Sequence, residues 1–413
     1  AGDCRGARGR YLCIMRDEPA PTVPRLPVRP PHVSGQAPLL QAYAMSQRNL
    51  LELIPREAFD EWIISGANPA RFHLVMQPEA IRRILQTRVE DYPKSDVAQA
   101  LLRPAIGDSM LMAEGAEWRR QRRAAAPAFQ PRHLEGLGGV MSAAAERASR
   151  RVAAQAGRAA NLLEEMTAAT FEVISDVTFS GERAVGRETV ARALLAYGEA
   201  QGRMSFLDVL GAPDWVPRPG RLRPDPQMEA MKEEAGATVT ARRARARAQE
   251  VAPDLLDLLL RADDLDDTDV RDNLLAFIVA GHETTALTLA WALYLMGFDE
   301  AAQDRARAEA RAVLGGRVAE AADVARLPFT RAVIDETLRL YPPAGFLSRT
   351  ATEMDELCGS TVLPGDTVSV PVYAVQRHRA LWERPDAFLP ERFEGGPPVG
   401  RYAYLPFGDG PRI

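Results

Sequence analysis

An acid, two hydroxyls and a histidine stand in the middle of a long apolar segment. The segment spans residues 273–298, and its centre, residues 280–285, reads Ala-Gly-His-Glu-Thr-Thr. A glutamate there can carry protons, and Thr284 can bond back to the Ala280 carbonyl four residues earlier, which bends a helix. Gly281 weakens the helix further. The pattern predicts an internal helix with room for a ligand at its centre.

Two other interpretations of this segment fail. The zinc-protease motif HExxH needs a second histidine where Ala286 stands. A membrane-spanning helix would have to bury His282 and Glu283 at the bilayer centre, and the apolar run after them is too short to cross alone. We therefore expect no membrane span, and His282 is expected to be a packing residue.

The end of the sequence is a glycine-punctuated loop over residues 402–413. Gly408 and Gly410 permit a tight turn in which backbone amides approach a bound group. Phe407 precedes the pair and Arg412 follows it. Alone, such a loop is a weak signal of a binding site.

Two further patterns place opposite or complementary groups on one helical face. Trp118 and Arg122 are four residues apart and could present an indole N–H and a guanidinium to one carboxylate, although this pattern alone favours a solvated basic helix. Glu336 and Arg339 are three apart, a spacing that on a surface contributes about 0.5 kcal/mol or less. Arg392 follows in a Pro-Glu-Arg-Phe segment.

In this order and spacing, the patterns resemble the cytochrome P450 family from about residue 36 onward. Residues 407–412 resemble the haem-ligand loop Phe-Gly-x-Gly-x-Arg-x-Cys, in which a cysteine thiolate binds the iron. The expected cysteine would directly follow Ile413. We therefore expect this chain to be C-terminally truncated, to lack the metal ligand and to be inactive in this form.

The resemblance implies a role for each motif. Thr284 would hydrogen-bond dioxygen, and Glu283 would relay protons to it. Glu336, Arg339 and Arg392 would form a buried charge network that holds the loop in place. The residues implied to contact haem are Trp118, Arg122, Ala280, Gly281, Arg349, Phe407, Gly408, Gly410 and Arg412.

The resemblance also implies the fold and the reaction. We expect a mainly α protein with small β-sheets (α+β), a single P450 domain over 36–413 after a Pro/Arg-rich, disordered lead-in over 1–35. The implied cofactor is haem b, and the implied reaction inserts one atom of O2 into a C–H or C=C bond of a small apolar organic molecule. Electrons would come from an external ferredoxin or flavoprotein system. A peroxide-driven oxygenase and a non-catalytic haem- or ligand-binding protein are the alternatives.

The composition limits the possible binding partners and the cellular compartment of the protein. The net charge of −5 argues against nucleic acid as a partner. Cys4, Cys13 and Cys358 lack metal-site spacing and fit a reducing cytoplasm. Residues 1–14 carry no apolar leader, and Met15 is a plausible start.

Local signals predict several elements around the motifs. A strand is expected near residues 71–76, and a helix opens at Pro78. Residues 95–112 look irregular because Pro104 and Gly107 fall within them. The acidic run 263–272 is typical of a helix N-terminus.

Overall fold

The computed structural model describes residues 26–67, 70–130, 136–179, 189–190, 192–193, 225–245 and 254–412. Most of the proline-rich lead-in, with Cys4, Cys13 and Met15, lies outside these ranges. Within them the chain is mainly helical with two small sheets, so the predicted fold class is confirmed. The helices in the described residues are α1 Leu39–Arg48, α2 Pro78–Arg82, α3 Asp96–Ile106, α4 Gly115–Ala125, α5 Gly138–Ala153, α6 Leu162–Phe179, α7 Pro226–Arg245, α8 Leu255–Leu260, α9 Asp267–Phe298, α10 Glu300–Leu314, α11 Pro328–Leu340 and α12 Val372–Val375.

Helix α9 is the centre of the helical part. It starts in the acidic run, where the Asp266 side chain accepts from the Asp269 amide at 2.8 Å and the Asp269 carboxylate accepts back, a capping box. The helix is continuous through residues 280–285. By length and composition α9 could cross a membrane, but in this fold it packs against α6, α7 and α11.

The larger sheet has four strands in the order β1–β2–β6–β3. β2 pairs antiparallel with β1 and parallel with β6, and β3 pairs antiparallel with β6. The smaller sheet is the antiparallel hairpin of β4 and β5. The strands are β1 Ile63–Gly66, β2 Phe72–Val75, β3 Leu347–Thr350, β4 Asp355–Leu357, β5 Ser360–Val362 and β6 Thr367–Val370.

The apolar core divides between these two parts. One cluster joins α6, α7, α8 and α9 through residues such as Phe179, Met231 and Leu274, all nearly inaccessible. A second cluster lies under the sheet and includes Val75, Val368 and Leu405. Leu405 belongs to the approach to the glycine loop, so the loop is anchored in the core of the sheet.

The expectation that residues 95–112 are irregular is wrong for their first half. Helix α3 forms there because the Ser95 hydroxyl caps it, accepting from the Ala98 amide at 3.2 Å. Pro104 lies inside this helix, and Gly107, at φ 58°, ends it. The cap signal was present in the sequence, but the proline obscured it.

Candidate active site

The middle of α9 has one open face. Ala280, Glu283 and Thr284 are exposed there, whereas Ile278, His282 and Ala286 on the other side are buried. The Thr284 hydroxyl donates to the Ala280 carbonyl oxygen at 2.7 Å, the back-bond predicted from the sequence. An acid and a hydroxyl therefore line a free surface in the centre of the fold.

His282 and Gly281 serve the packing of α9. The His282 Nδ1 lies 2.7 Å from the Ile278 carbonyl oxygen, so Nδ1 carries the proton, and the ring meets Phe171 edge-on. A Cβ at Gly281 would lie 3.1 Å from a methyl group of Ile174 in α6. The position where a Cβ would stand on Gly281 therefore faces α6. The absence of a Cβ there lets α9 and α6 pack closely.

The glycine loop turns on two left-handed residues. Gly408 has φ 79° and Gly410 has φ 90°, a region that favours glycine. A Cβ at Gly410 would lie 2.0 Å from the Leu85 carbonyl oxygen, so no other residue fits without displacing the backbone. Phe407, by contrast, is 76% exposed.

Arg412 leads from this loop to a cluster of cations. It forms an ion pair with Glu114 and donates to the Ala113 carbonyl oxygen at 3.1 Å, and its Cζ lies 5.1 Å from the Trp118 ring centroid. The Lys94 ammonium is 3.5 Å from the same Glu114 carboxylate. The structure thus joins Trp118 to Arg412, while Arg122 lies exposed one turn further along α4.

The cluster holds more positive than negative charge. Burial, and then the charge of Arg412, lowers the pKa of Lys94 to about 8, and the same two causes lower the pKa of Arg349. Lys94 and Arg412 pair with the carboxylate of Glu114, and the charge of the same carboxylate also acts on the guanidinium of Arg349. This donor set fits the two carboxylates of a haem, which would supply the missing negative charge.

Lys94 and Glu114 are site residues that the sequence did not indicate. They belong to no motif, and Glu114 meets Arg412 across 298 positions of the chain. The one sequence feature that could have indicated Glu114 is its place at the N-cap of α4.

The charge network forms a separate cluster in which Glu336 and Arg339 are fully buried and Arg392 is partly buried. Glu336 and Arg339 are inaccessible to solvent and paired at 2.6 Å, and Arg392 donates to the Glu336 carboxylate at 3.3 Å. Glu336 also accepts from the Leu389 amide at 2.9 Å. Arg339 donates to the carbonyl oxygens of three other residues, Gln376, Pro385 and Ala387.

Gln376, which no sequence pattern indicated, connects this network to the glycine loop. Its side-chain nitrogen donates to the Leu338 and Arg339 carbonyl oxygens at 2.9 and 3.1 Å. Its side-chain oxygen accepts from the Leu405 amide at 2.8 Å. The buried charges therefore fix the start of the loop through one neutral side chain.

No metal site is apparent in the described ranges, where His, Cys, Asp and Glu form no group of three that could hold an ion. Cys358 lies in the turn between β4 and β5, and its thiol donates to the Gln77 side chain at 3.1 Å. The described cysteine is therefore held in a hairpin apart from the glycine loop.

Comparison with known proteins identifies the family of this chain. Residues 56–413 match the family model described as Cytochrome P450. Cyclooctatin synthase of Streptomyces melanosporofaciens is 30% identical, covering 92% of this chain and 83% of its own length. Cyclooctat-9-en-7-ol 5-monooxygenase of the same organism is 31% identical, with 91% and 82% covered. The crystal structure of the cytochrome P450DA heme domain has a TM-score of 0.72 at 23% identity, covering 92% of this chain and 83% of that one. The chain belongs to the cytochrome P450 family.

Proposed function

We propose that this protein is a haem b-dependent monooxygenase that inserts one atom of O2 into a C–H or C=C bond of a small apolar organic molecule. The observation that carries this assignment is the open face of α9, where Glu283 and Thr284 are exposed in the middle of the central helix. These polar residues interrupt an otherwise apolar helix that packs against α6, α7 and α11.

The proposed cofactor site uses the cation cluster and the loop. The haem propionates would be held by Lys94, Arg349 and Arg412 together with the Trp118 indole N–H. The loop around Gly408 and Gly410 would lie against the haem on the side opposite to α9. Arg122 would add positive charge at the rim. When bound, haem supplies the iron chemistry that activates dioxygen.

Glu283 and Thr284 would transfer protons on the side of the haem site that α9 forms. The Thr284 hydroxyl hydrogen is engaged by the Ala280 carbonyl, so its lone pairs are free to accept from water or a protonated ligand. Glu283, exposed beside it, can exchange protons with solvent. Together they would deliver protons from water to the centre of the fold.

An apolar substrate fits the segment next to α9. Leu102 and Leu111 are exposed although they flank a helix end fixed to α9. The Asp108 and Met110 amides donate to the Asp272 and Asn273 side chains, each at 2.9 Å. One Streptomyces relative is named as a monooxygenase of cyclooctat-9-en-7-ol and the other as cyclooctatin synthase, and by analogy we propose a small apolar substrate here.

The proposal includes an external electron donor, a ferredoxin or flavoprotein system, and a cytoplasmic location. It is tested with protein that continues through the expected ligand cysteine. Oxygen-dependent consumption of reduced pyridine nucleotide through a generic ferredoxin system supports the monooxygenase. Product formed only with peroxide would support the peroxide-driven alternative, and haem binding without turnover under either condition would support the non-catalytic one.

A further inference from the structure

A cavity lies between residues 29–32, near the start of the described chain, and helix α12. Its volume is about 430 Å³. It shares Pro385 with the charge network, and no residue with the cation cluster or with the open face of α9. The residues that line it are Arg29, Pro30, Pro31, His32, Arg56, Phe59, Tyr373, Arg377, Arg379, Pro385 and Asp386.

Three side chains of this cavity have buried polar atoms without a hydrogen-bond partner among the described residues. They are the His32 Nε2, the Tyr373 hydroxyl, and the Nε and Nη1 of Arg377. Arg377 is 3% exposed and Tyr373 is 1% exposed. Buried polar groups of this kind cost free energy unless a partner satisfies them.

The three groups are close to one another. The Arg377 Cζ lies 3.8 Å from the Tyr373 ring centroid, and the Tyr373 and His32 rings are 5.9 Å apart. His32, Tyr373 and Arg377 are therefore neighbours within the lining of one cavity.

The cavity wall is held in place by specific hydrogen bonds. The Tyr341 hydroxyl donates to the Val28 carbonyl oxygen at 2.6 Å, and the Val28 amide donates to the Tyr294 hydroxyl at 3.2 Å. The His32 Nδ1 lies 3.0 Å from the Ile54 carbonyl oxygen. The N-terminal wall is therefore fixed to the body of the protein on both sides of the arginine at position 29.

The charge of the cavity is positive. Four arginines line it, against one aspartate, Asp386. Asp386 is already bonded to Arg29 at 2.5 Å and lies 3.7 Å from the Arg377 Nε. Arg379 pairs with Asp60 at the surface. Because Asp386 serves two guanidiniums, the buried Arg377 lacks a carboxylate of its own.

We propose that this cavity binds the phosphate group of a small organic molecule, with Arg377 and Tyr373 donating hydrogen bonds to its oxygens and the His32 Nε2 accepting a hydrogen bond from its P–OH group. A guanidinium is well matched to phosphate oxygens. The rings of His32, Phe59 and Tyr373 offer apolar surface to the organic part of the ligand.

The protonation of the three groups suits a phosphate that still carries a hydrogen. Burial raises the pKa of Tyr373, so its hydroxyl remains a donor. Burial, followed by the charges of Arg377 and Arg29, lowers the pKa of His32, although the hydrogen bond with the Ile54 carbonyl and the charge of Asp386 oppose this change. Neutral His32 has its hydrogen on Nδ1, facing the Ile54 carbonyl, so Nε2 is an acceptor. A monoprotonated phosphate can donate to Nε2, whereas sulfate has no hydrogen to donate.

The test is calorimetric titration of the haem-loaded protein, in which the propionates occupy the other cation cluster. Inorganic phosphate and phenyl phosphate are titrated at constant ionic strength, with sulfate as the comparison. We expect saturable 1:1 binding of both phosphates, with sulfate weaker by about tenfold. Absence of saturable binding up to about 10 mM phosphate, or sulfate binding as tight as phosphate, would overturn the proposal.

Two variants and a matched control locate the binding. Tyr373→Phe should weaken phosphate binding by about tenfold. It should fold normally, because the hydroxyl that it removes has no partner in the protein. Arg377→Gln should abolish detectable binding. Arg305→Gln removes the same charge from an exposed pair with Glu394 and should leave the affinity unchanged. Unaltered affinity in Tyr373→Phe, or an equal loss in Arg305→Gln, would contradict the assignment.

Discussion

At the scale of single residues, the Thr284 hydroxyl is the group on which productive turnover should depend. It lies on the open face of α9 and donates to Ala280. In protein that continues through the ligand cysteine, Thr284→Ala should lower product formed per reduced cofactor consumed by on the order of tenfold, since proton delivery fails. Product and cofactor are measured in the same reaction.

Thr288 provides a control for this experiment. It makes the same type of back-bond, donating to the Thr284 carbonyl oxygen at 2.9 Å, one turn along α9. Thr288→Ala should leave the coupling near the parental level. If Thr284→Ala also kept the parental coupling, the role assigned to this hydroxyl would be wrong.

Lys94 gives a pH prediction at the same scale. Its pKa is about 8 in the folded, haem-free protein against an ordinary value of 10.5. Between these values the unfolded chain holds a proton that the folded chain has lost, so raising the pH stabilises the folded state. The free energy of unfolding of haem-free protein should therefore gain a contribution from Lys94 as pH rises from 8 towards 10.5.

The variant Lys94→Met isolates this contribution. It should remove part of the rise in unfolding free energy with pH, as followed by denaturant titrations between pH 7 and 10. Haem propionates would favour the charged amine, so haem affinity should fall as pH passes 8 in the parent more steeply than in Lys94→Met. Identical pH profiles for the two proteins would show that Lys94 is not held in a cationic cluster.

At the scale of elements, the charge network fixes α11 against the segment that leads to the glycine loop. Glu336→Ala would leave the buried Arg339 and Arg392 without their shared carboxylate. Loss of one member of a buried ion pair typically costs about 3 to 5 kcal/mol. We expect a large drop in unfolding free energy and loss of haem, measured by denaturant titration and by haem content.

Glu394 is the surface counterpart of Glu336. It pairs with Arg305 at 2.6 Å, with both side chains exposed. Glu394→Ala should leave stability and haem content nearly unchanged, because solvent screens exposed ion pairs. A Glu336→Ala protein with parental stability and haem content would refute the network.

Gln376 transmits the position of α11 to the loop. Gln376→Ala removes its bond to the Leu405 amide and leaves the Leu338 and Arg339 carbonyls unpaired. Haem should dissociate faster from this variant than from the parent, by about tenfold or more, because three buried hydrogen bonds are lost. Transfer of haem to an excess of a haem-accepting protein measures the rate, and an unchanged rate would show that the loop is fixed by other contacts.

At the scale of the whole molecule, the sequence predicted what lies within short motifs. The back-bond of Thr284 and the start of α9 in the acidic run 263–272 depend on residues a few positions apart. Lys94, Glu114 and Gln376 could not be predicted, because their partners lie far along the chain and their own neighbours carry no pattern. The cation cluster exists only once α4, β3 and the loop are brought together.

The central claim is that the α9 face and the glycine loop enclose a haem ligated by a thiolate. The most direct test is the carbon monoxide difference spectrum of the reduced protein that continues through the cysteine expected after Ile413. We predict a band typical of thiolate ligation. A histidine-type spectrum, or no stoichiometric haem, would contradict the account.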